Sequence, residues 1–246
     1  MFEYFHFSLP RAVTEQLVER LAALTATPLN ESALRELQAF QSRSKTCQGV
    51  YVIYHEGAAA YAGKAENTAE RLFQHLAKLS GRSGMDMSHV GFKALLLDEN
   101  WSTSANEDLL IGHFKKLGEC RWNGIGFGPK DPGKNRDGSK PNWFDDTYPV
   151  REDYPVGGLS SEASILEVLA AIKARVPYLF RYEVPVSEGS KILRLKMVPQ
   201  TARDLACHAA AALGDGWQLM LFKNGFTLYK AVKSYEHGIQ LHPPKR

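Results

Sequence analysis

The sequence is poor in cysteine: Cys47, Cys120 and Cys207 are the whole complement of a 246-residue chain. An odd number, wide spacing and no CxxC pair argue against a disulfide framework and against a cysteine-based zinc site. Long apolar runs are missing too, and none approaches the roughly 18 residues that a membrane span requires. The opening stretch MFEYFHFSLPRA lacks the basic start and apolar core of a secretory signal, so a cytoplasmic protein with reduced thiols is expected. An excess of charge of one sign is also lacking, since 30 Lys and Arg against 27 Asp and Glu leave a net charge of only +3. Internal repeats and low-complexity tracts are absent as well.

What is present is an ordinary globular composition, 44% hydrophobic and 23% charged, in a chain long enough for a sizeable core. The charge is unevenly placed. From Lys115 to Lys140 there are seven basic residues against three acids, and from Arg181 onward ten against five. Two such positive regions can attract a polyanion.

Pattern and punctuation divide the chain. Residues 10 to 42 read as two helices, the first with Val13, Leu17, Leu21 and Leu24 on one face, the second capped by Asn30 or Ser32. Strands are expected at about 49 to 55, 58 to 62 and 90 to 98, the first two joined at Gly57. A helix begins at Asn67 or Thr68, with Leu72, Leu76 and Leu79 at helical spacing, and another spans STSANEDLLIGHFKKLG. The order is ββαβα. Residues 124 to 160 are dense in Gly, Pro, Asn and Asp and have no period, which points to a functional loop or a linker. Beyond them come a helix over EASILEVLAAIKAR, a strand at 191 to 198, and a helix opened by Thr201 with Asp204 and ended by Gly214. A hairpin marked by Asn224-Gly225 follows. The chain is thus predicted to be α/β (α+β), with an N-terminal helical layer (1–44), a central domain (45–150) and a C-terminal βαββ module (160–246).

In the ββαβα segment, Tyr51 and Tyr61 lie on adjacent strands, and Arg71 and His75 are four apart on the next helix, so each pair can share a face. Glu107 sits in the first turn of the following helix, Asn123 follows its end, and Lys64 is close by in sequence. A guanidinium for phosphorane charge, a carboxylate for a metal, and a phenol or imidazole for the proton of an attacking water suit chemistry on a phosphate. Each residue alone also has a structural explanation: tyrosines pack small sheets, and Glu107 suits a helix N-terminus for dipole reasons.

The ordered set Gly49-Val50-Tyr51, Tyr61-Ala62-Gly63, Arg71, Glu107 and Asn123 resembles the GIY-YIG nuclease superfamily. The stretches YAGKA, RLFQH, EDLLIGHF and WNGIGFGPKDPGKNR with a later Trp are similar to the type II restriction endonucleases that cut the SacII-type palindrome CCGCGG. The likeness covers residues 35 to 150, with Ala62 where the family has isoleucine. It implies a ββαβα nuclease fold and hydrolysis of double-stranded DNA to 5′-phosphate and 3′-hydroxyl ends. In the roles it implies, Tyr51 is general base or proton relay with Tyr61 beside it, and Arg71 stabilises the pentavalent phosphate. His75 assists proton transfer, Lys64 adds positive charge, Glu107 holds one Mg²⁺ with Mn²⁺ as a substitute, and Asn123 braces the site. A palindromic target implies a homodimer, and a restriction role a companion methyltransferase. Lys130, Lys134, Asn135, Arg136 and Lys140 are the candidate DNA contacts. The competing readings are a GIY-YIG enzyme of a mobile element or repair pathway, and a DNA-binding module without activity.

Overall fold

The computed structural model describes residues 8–97, 111–114, 120–125, 127, 133–196, 200–231 and 233–243. The fold is α+β and divides into two units, residues 1–79 with 86–128 and residues 80–85 with 129–246.

The first unit opens with α1 (Leu9–Ala23) and α2 (Glu31–Ser44), separated by the two-residue strand β1 (Thr27–Pro28). Leu17 and Leu21 of α1 are buried against Val50, Val52 and Ala62 of the sheet. Leu24, expected on the same face, terminates the helix with an extended backbone and stays exposed. Asn30, not Ser32, caps α2: its side chain accepts from the Ala33 N–H at 3.0 Å. The strands β2 (Gly49–His55), β3 (Ala58–Ala65) and β4 (Val90–Leu96) form an antiparallel sheet in the order β1-β4-β2-β3. Glu56 and Gly57, both with positive φ, turn β2 into β3. That is the mirror-image turn that suits the twist of a two-residue hairpin. Pairing continues to Gly49 opposite Ala65, so β3 is longer than the 58 to 62 expected.

Between β3 and β4 runs α3 (Thr68–Ser80), started by Asn67, whose side chain accepts from the Glu70 N–H at 3.2 Å. Leu72 and Leu79 are buried, and Leu76 is partly so. Of the expected 102 to 118 helix, residues 111–114 are helical; the rest lies outside the described residues. In the described residues the order β2, β3, α3, β4, helix follows the expected one.

The second unit was only partly legible. The aperiodic 124 to 160 stretch contains a short helix, α4 (Trp143–Thr147), capped by Asn142. It is followed by β5 (Pro155–Val156), β6 (Glu162–Ser164), α5 (Ile165–Arg175), β7 (Leu179–Tyr182), α6 (Val186–Gly189), β8 (Ile192–Arg194) and β9 (Gln200–Thr201). The chain then forms α7 (Ala202–Leu213), β10 (Gln218–Phe222), β11 (Gly225–Tyr229) and β12 (Gly238–His242). Capping boxes at Ser164 with Glu167 and Thr201 with Asp204 start α5 and α7, and Gly214 ends α7. The main sheet is β12-β10-β11-β7, with β7 parallel to β11. This corrects the βαββ expectation, because β8 leaves that sheet to pair with β6. The hairpin turn is Lys223-Asn224, one residue earlier than expected, with Gly225 already paired to Phe222. Helices α5 and α7 pack on the sheet through Leu169, Ile172, Leu205 and Ala209, burying Trp217, Phe226 and Leu228.

Polar anchors tie residues 137–148 to the rest of the second unit. Asp137 is buried, accepting from the Arg181 guanidinium and, at 2.8 Å, from the Tyr229 hydroxyl. Arg82, with its side chain 4% exposed, pairs with Asp145 at 2.8 Å and donates to the Tyr148 carbonyl at 3.0 Å.

Candidate active site

Tyr51 lies opposite Gly63 and Ile53 opposite Tyr61, so alternation along β2 and β3 places both phenols on one face of the hairpin. A side chain at position 63 would fill the space they use. A Cβ there would stand 2.7 Å from the Tyr51 hydroxyl and 2.9 Å from the Tyr61 ring. The Gly/Tyr pairing along the hairpin is therefore steric: the glycine makes room for the two rings, whose centroids are 6.1 Å apart.

Helix α3 supplies the other partners. The Tyr51 hydroxyl is 2.8 Å from His75 Nε2, and both residues are buried. Arg71, one turn earlier, is within hydrogen-bonding reach of both phenols, and its Nη1 also donates to Gln74 Oε1 at 2.8 Å. The Phe127 ring closes the cluster, stacked on His75 at 4.9 Å and edge-on to Tyr61 at 5.0 Å. Lys78 donates to the Phe127 carbonyl and lies 5.2 Å from its ring. Phe127 and Lys78 were not foreseen. Lys78 continues the helical face of Arg71 and His75, a spacing signal present in the sequence, whereas nothing local marks Phe127.

These surroundings set the protonation states. Burial pushes the Tyr51 phenol well above its ordinary value, helped by Tyr61 and opposed by the Arg71 charge. Burial, then the cations Arg71 and Lys78, push His75 down to about 3. Burial works against the Arg71 charge, but Tyr51 and Tyr61 outweigh it and hold the guanidinium above its usual range. At neutral pH the cluster holds a charged guanidinium, a neutral Tyr51 phenol and a neutral imidazole. The direction of the 2.8 Å contact between the Tyr51 hydroxyl and His75 Nε2 follows the imidazole tautomer, and in the Nδ1–H tautomer the phenol donates to Nε2. Tyr51 is then a hydrogen-bonded phenol and not the phenolate that a direct base requires.

Asn123 braces the edge strand. Its Nδ2 donates to the Ala62 carbonyl at 2.8 Å and its Oδ1 accepts from the Ala62 N–H at 2.9 Å. With Cys120 N–H on Ala59 O and Trp122 N–H on Ala60 O, this segment occupies the open side of β3. Lys64 pairs with Val50, and alternation sets it on the face opposite the phenols, so it does not join them. Glu107 and Lys130 lie outside the described residues. Lys134, Asn135 and Arg136 form an exposed 3₁₀ turn, and Lys140 is exposed nearby. Lys134 is already engaged, 2.5 Å from Glu183 and 4.6 Å above the Tyr229 ring.

Among the described residues no group of three or more His, Cys, Asp or Glu could hold a metal ion. Among the described residues the phenol cluster offers cations and neutral donors, a set suited to an anion such as a phosphate. No helix of the described residues is long and apolar enough to cross a membrane. Comparison with protein-family models and with curated proteins finds no match to this chain.

Proposed function

We propose that the chain is a metal-dependent, site-specific endonuclease of double-stranded DNA, a type II restriction enzyme of the GIY-YIG kind. The observation that carries this reading is the convergence of Tyr51, Tyr61, Arg71 and His75 from three elements into one cluster.

Arg71 is half-buried, so it is the member through which a phosphate in solvent reaches the phenols. Its guanidinium binds the scissile phosphate and gains most as charge grows in the pentavalent transition state. Tyr51 lies between solvent-facing Arg71 and buried His75. Its oxygen accepts a proton from the attacking water while its own proton passes to Nε2. Arg71 is one cause of His75's low proton affinity, and a phosphate on Arg71 offsets that cation, making the imidazole a better acceptor at the moment of need. Tyr61 packs beside this path and Asn123 fixes the strand that carries it. Glu107 would hold one Mg²⁺, with Mn²⁺ substituting, and the ion would supply charge neutralisation at the phosphate. Products with 5′-phosphate and 3′-hydroxyl ends, a homodimer on a palindrome and a companion methyltransferase belong to the same proposal.

Digesting a mapped plasmid with Mg²⁺ or with EDTA and sequencing the termini tests it. Metal-dependent cuts at one palindrome are expected. Arg71→Ala and Glu107→Gln should each lower cleavage by about 10²-fold or more while duplex binding persists. Tight duplex binding with no metal-dependent product would leave a DNA-binding module, and cuts without a fixed palindrome would leave a mobile-element or repair nuclease.

A further inference from the structure

The second unit contains a cavity of about 180 Å³ that the phenol cluster does not use. One wall is the segment around Arg136 and Lys140. The other is the tip of the β10–β11 hairpin, Lys223 and Asn224, with His237 from the chain before β12. Arg136 and Lys140 are exposed, and among the described residues neither is ion-paired. Lys223 has only a long, exposed pairing with Asp146 at 3.6 Å, which is weak and easily exchanged. Asp145 also borders the cavity, but Arg82 holds its Oδ1 at 2.8 Å in a buried pair, so its charge is compensated. The cavity thus carries three cations, an imidazole and two amides, Asn142 and Asn224, facing one acid held by Arg82 and by the Asn142 amide.

Both walls are held in place. Next to Arg136, the buried Asp137 is gripped by Arg181 and by the Tyr229 hydroxyl. Gly138, with φ +74°, lies so close to Tyr235 that a Cβ would stand 2.3 Å from its ring. Across the cavity, the Lys223 carbonyl accepts from the Val150 N–H at 3.0 Å and the Asn224 carbonyl from the Leu179 N–H at 3.3 Å. A backbone fixed on both sides leaves only the donor side chains to be ordered on binding.

We propose that this cavity binds a phosphoryl group, with Arg136, Lys140 and Lys223 supplying its charge complement and Asn224 and His237 completing the hydrogen bonds. The ligand chemistry is common to a phosphate of the DNA backbone and to free phosphate, and the first source rests on the nuclease reading. The sequence named individual DNA contacts only in the 130 to 140 stretch, and the hairpin tip adds specific residues from the basic region after Arg181.

The test uses the full chain and its Arg136→Ala and Lys223→Ala variants, with Arg20→Ala, an exposed cation on α1, as the control for lost charge. Calorimetric titration with inorganic phosphate is run beside fluorescence anisotropy on a short duplex at several salt concentrations, and circular dichroism checks folding. Each cavity variant should weaken duplex binding about tenfold and lower the slope of log affinity against log salt by about one, with Arg20→Ala unchanged. Loss of duplex affinity in the cavity variants assigns the backbone phosphate. Phosphate binding that needs Arg136 and Lys223 while duplex affinity stays constant assigns free phosphate. Folded variants that match wild type in both titrations overturn the site. Plasmid cleavage measured in parallel keeps the two readings apart: no metal-dependent product with the cavity results intact removes the nuclease and leaves the anion site.

Discussion

Tyr51 and His75 share one hydrogen bond and one buried environment, so each controls what the other can do. The phenol keeps its proton because burial disfavours the phenolate, and the imidazole stays neutral because burial and two cations disfavour its charge. Tyr51→Phe keeps the ring and removes the hydroxyl of the proposed relay. It should cost about 0.5–1.5 kcal/mol in urea unfolding, the worth of one hydrogen bond, and lower cleavage by about 10²-fold or more. Normal cleavage in a folded Tyr51→Phe protein would remove the relay. The His75 shift has a definite sign. An unfolded histidine titrates near 6.5 and the folded one at about 3, so between those values the unfolded chain binds the extra proton. Stability from this group is complete above about pH 6.5 and declines as pH falls toward 3. Unfolding curves at pH 7.5, 5.5 and 4.5 should show this decline, and His75→Gln should flatten it. An equal slope in that variant would count against the assignment.

At the scale of elements, the β2–β3 hairpin is the part on which the cluster depends. Its register brings Tyr51 opposite Gly63, and only a residue without a side chain leaves both phenols their positions. Gly63→Ala should destabilise the protein by about 1–3 kcal/mol, the usual cost of overfilling a packed site. It should also move the Tyr51 ring away from His75, visible as lost cleavage and altered tyrosine fluorescence. An alanine variant with wild-type stability would show that the rings have slack. Asn123 acts on the same element from outside, supplying to β3 the donor and acceptor that a further strand would provide. The triplet motifs at 49–51 and 61–63 thus encode close packing as well as the proposed chemistry.

For the whole molecule, a few polar contacts across long stretches of sequence hold residues 137–148 within the second unit. Asp137 lies 44 residues before Arg181 and joins it in a nearly buried pair, with side chains 4% and 14% exposed. Asp137→Ala leaves that guanidinium without its acid and should destabilise the protein by about 3–5 kcal/mol in denaturant unfolding. A change below 1 kcal/mol would mean that the 133–142 segment is held by other contacts. None of this was visible beforehand, because Asp137 in a Gly- and Pro-rich stretch has the composition of a linker. Sequence alone determined what depends on near neighbours. The caps at Asn30 and Thr201, the turn at Gly57 and the spacing of Arg71 and His75 are local, since hydrogen bonds and helical period act over a few residues, whereas the helix expected from Glu162 begins only at Ile165, after the strand Glu162–Ser164. Tertiary structure alone decided that β8 leaves the main sheet, that β7 runs parallel beside β11, and that Phe127 closes over His75. It also sent Lys64 to the other face of its strand and set Arg136 and the tip of a distant hairpin around one cavity. Those outcomes depend on which buried surfaces and charges find partners far along the chain, and no local pattern carries that information.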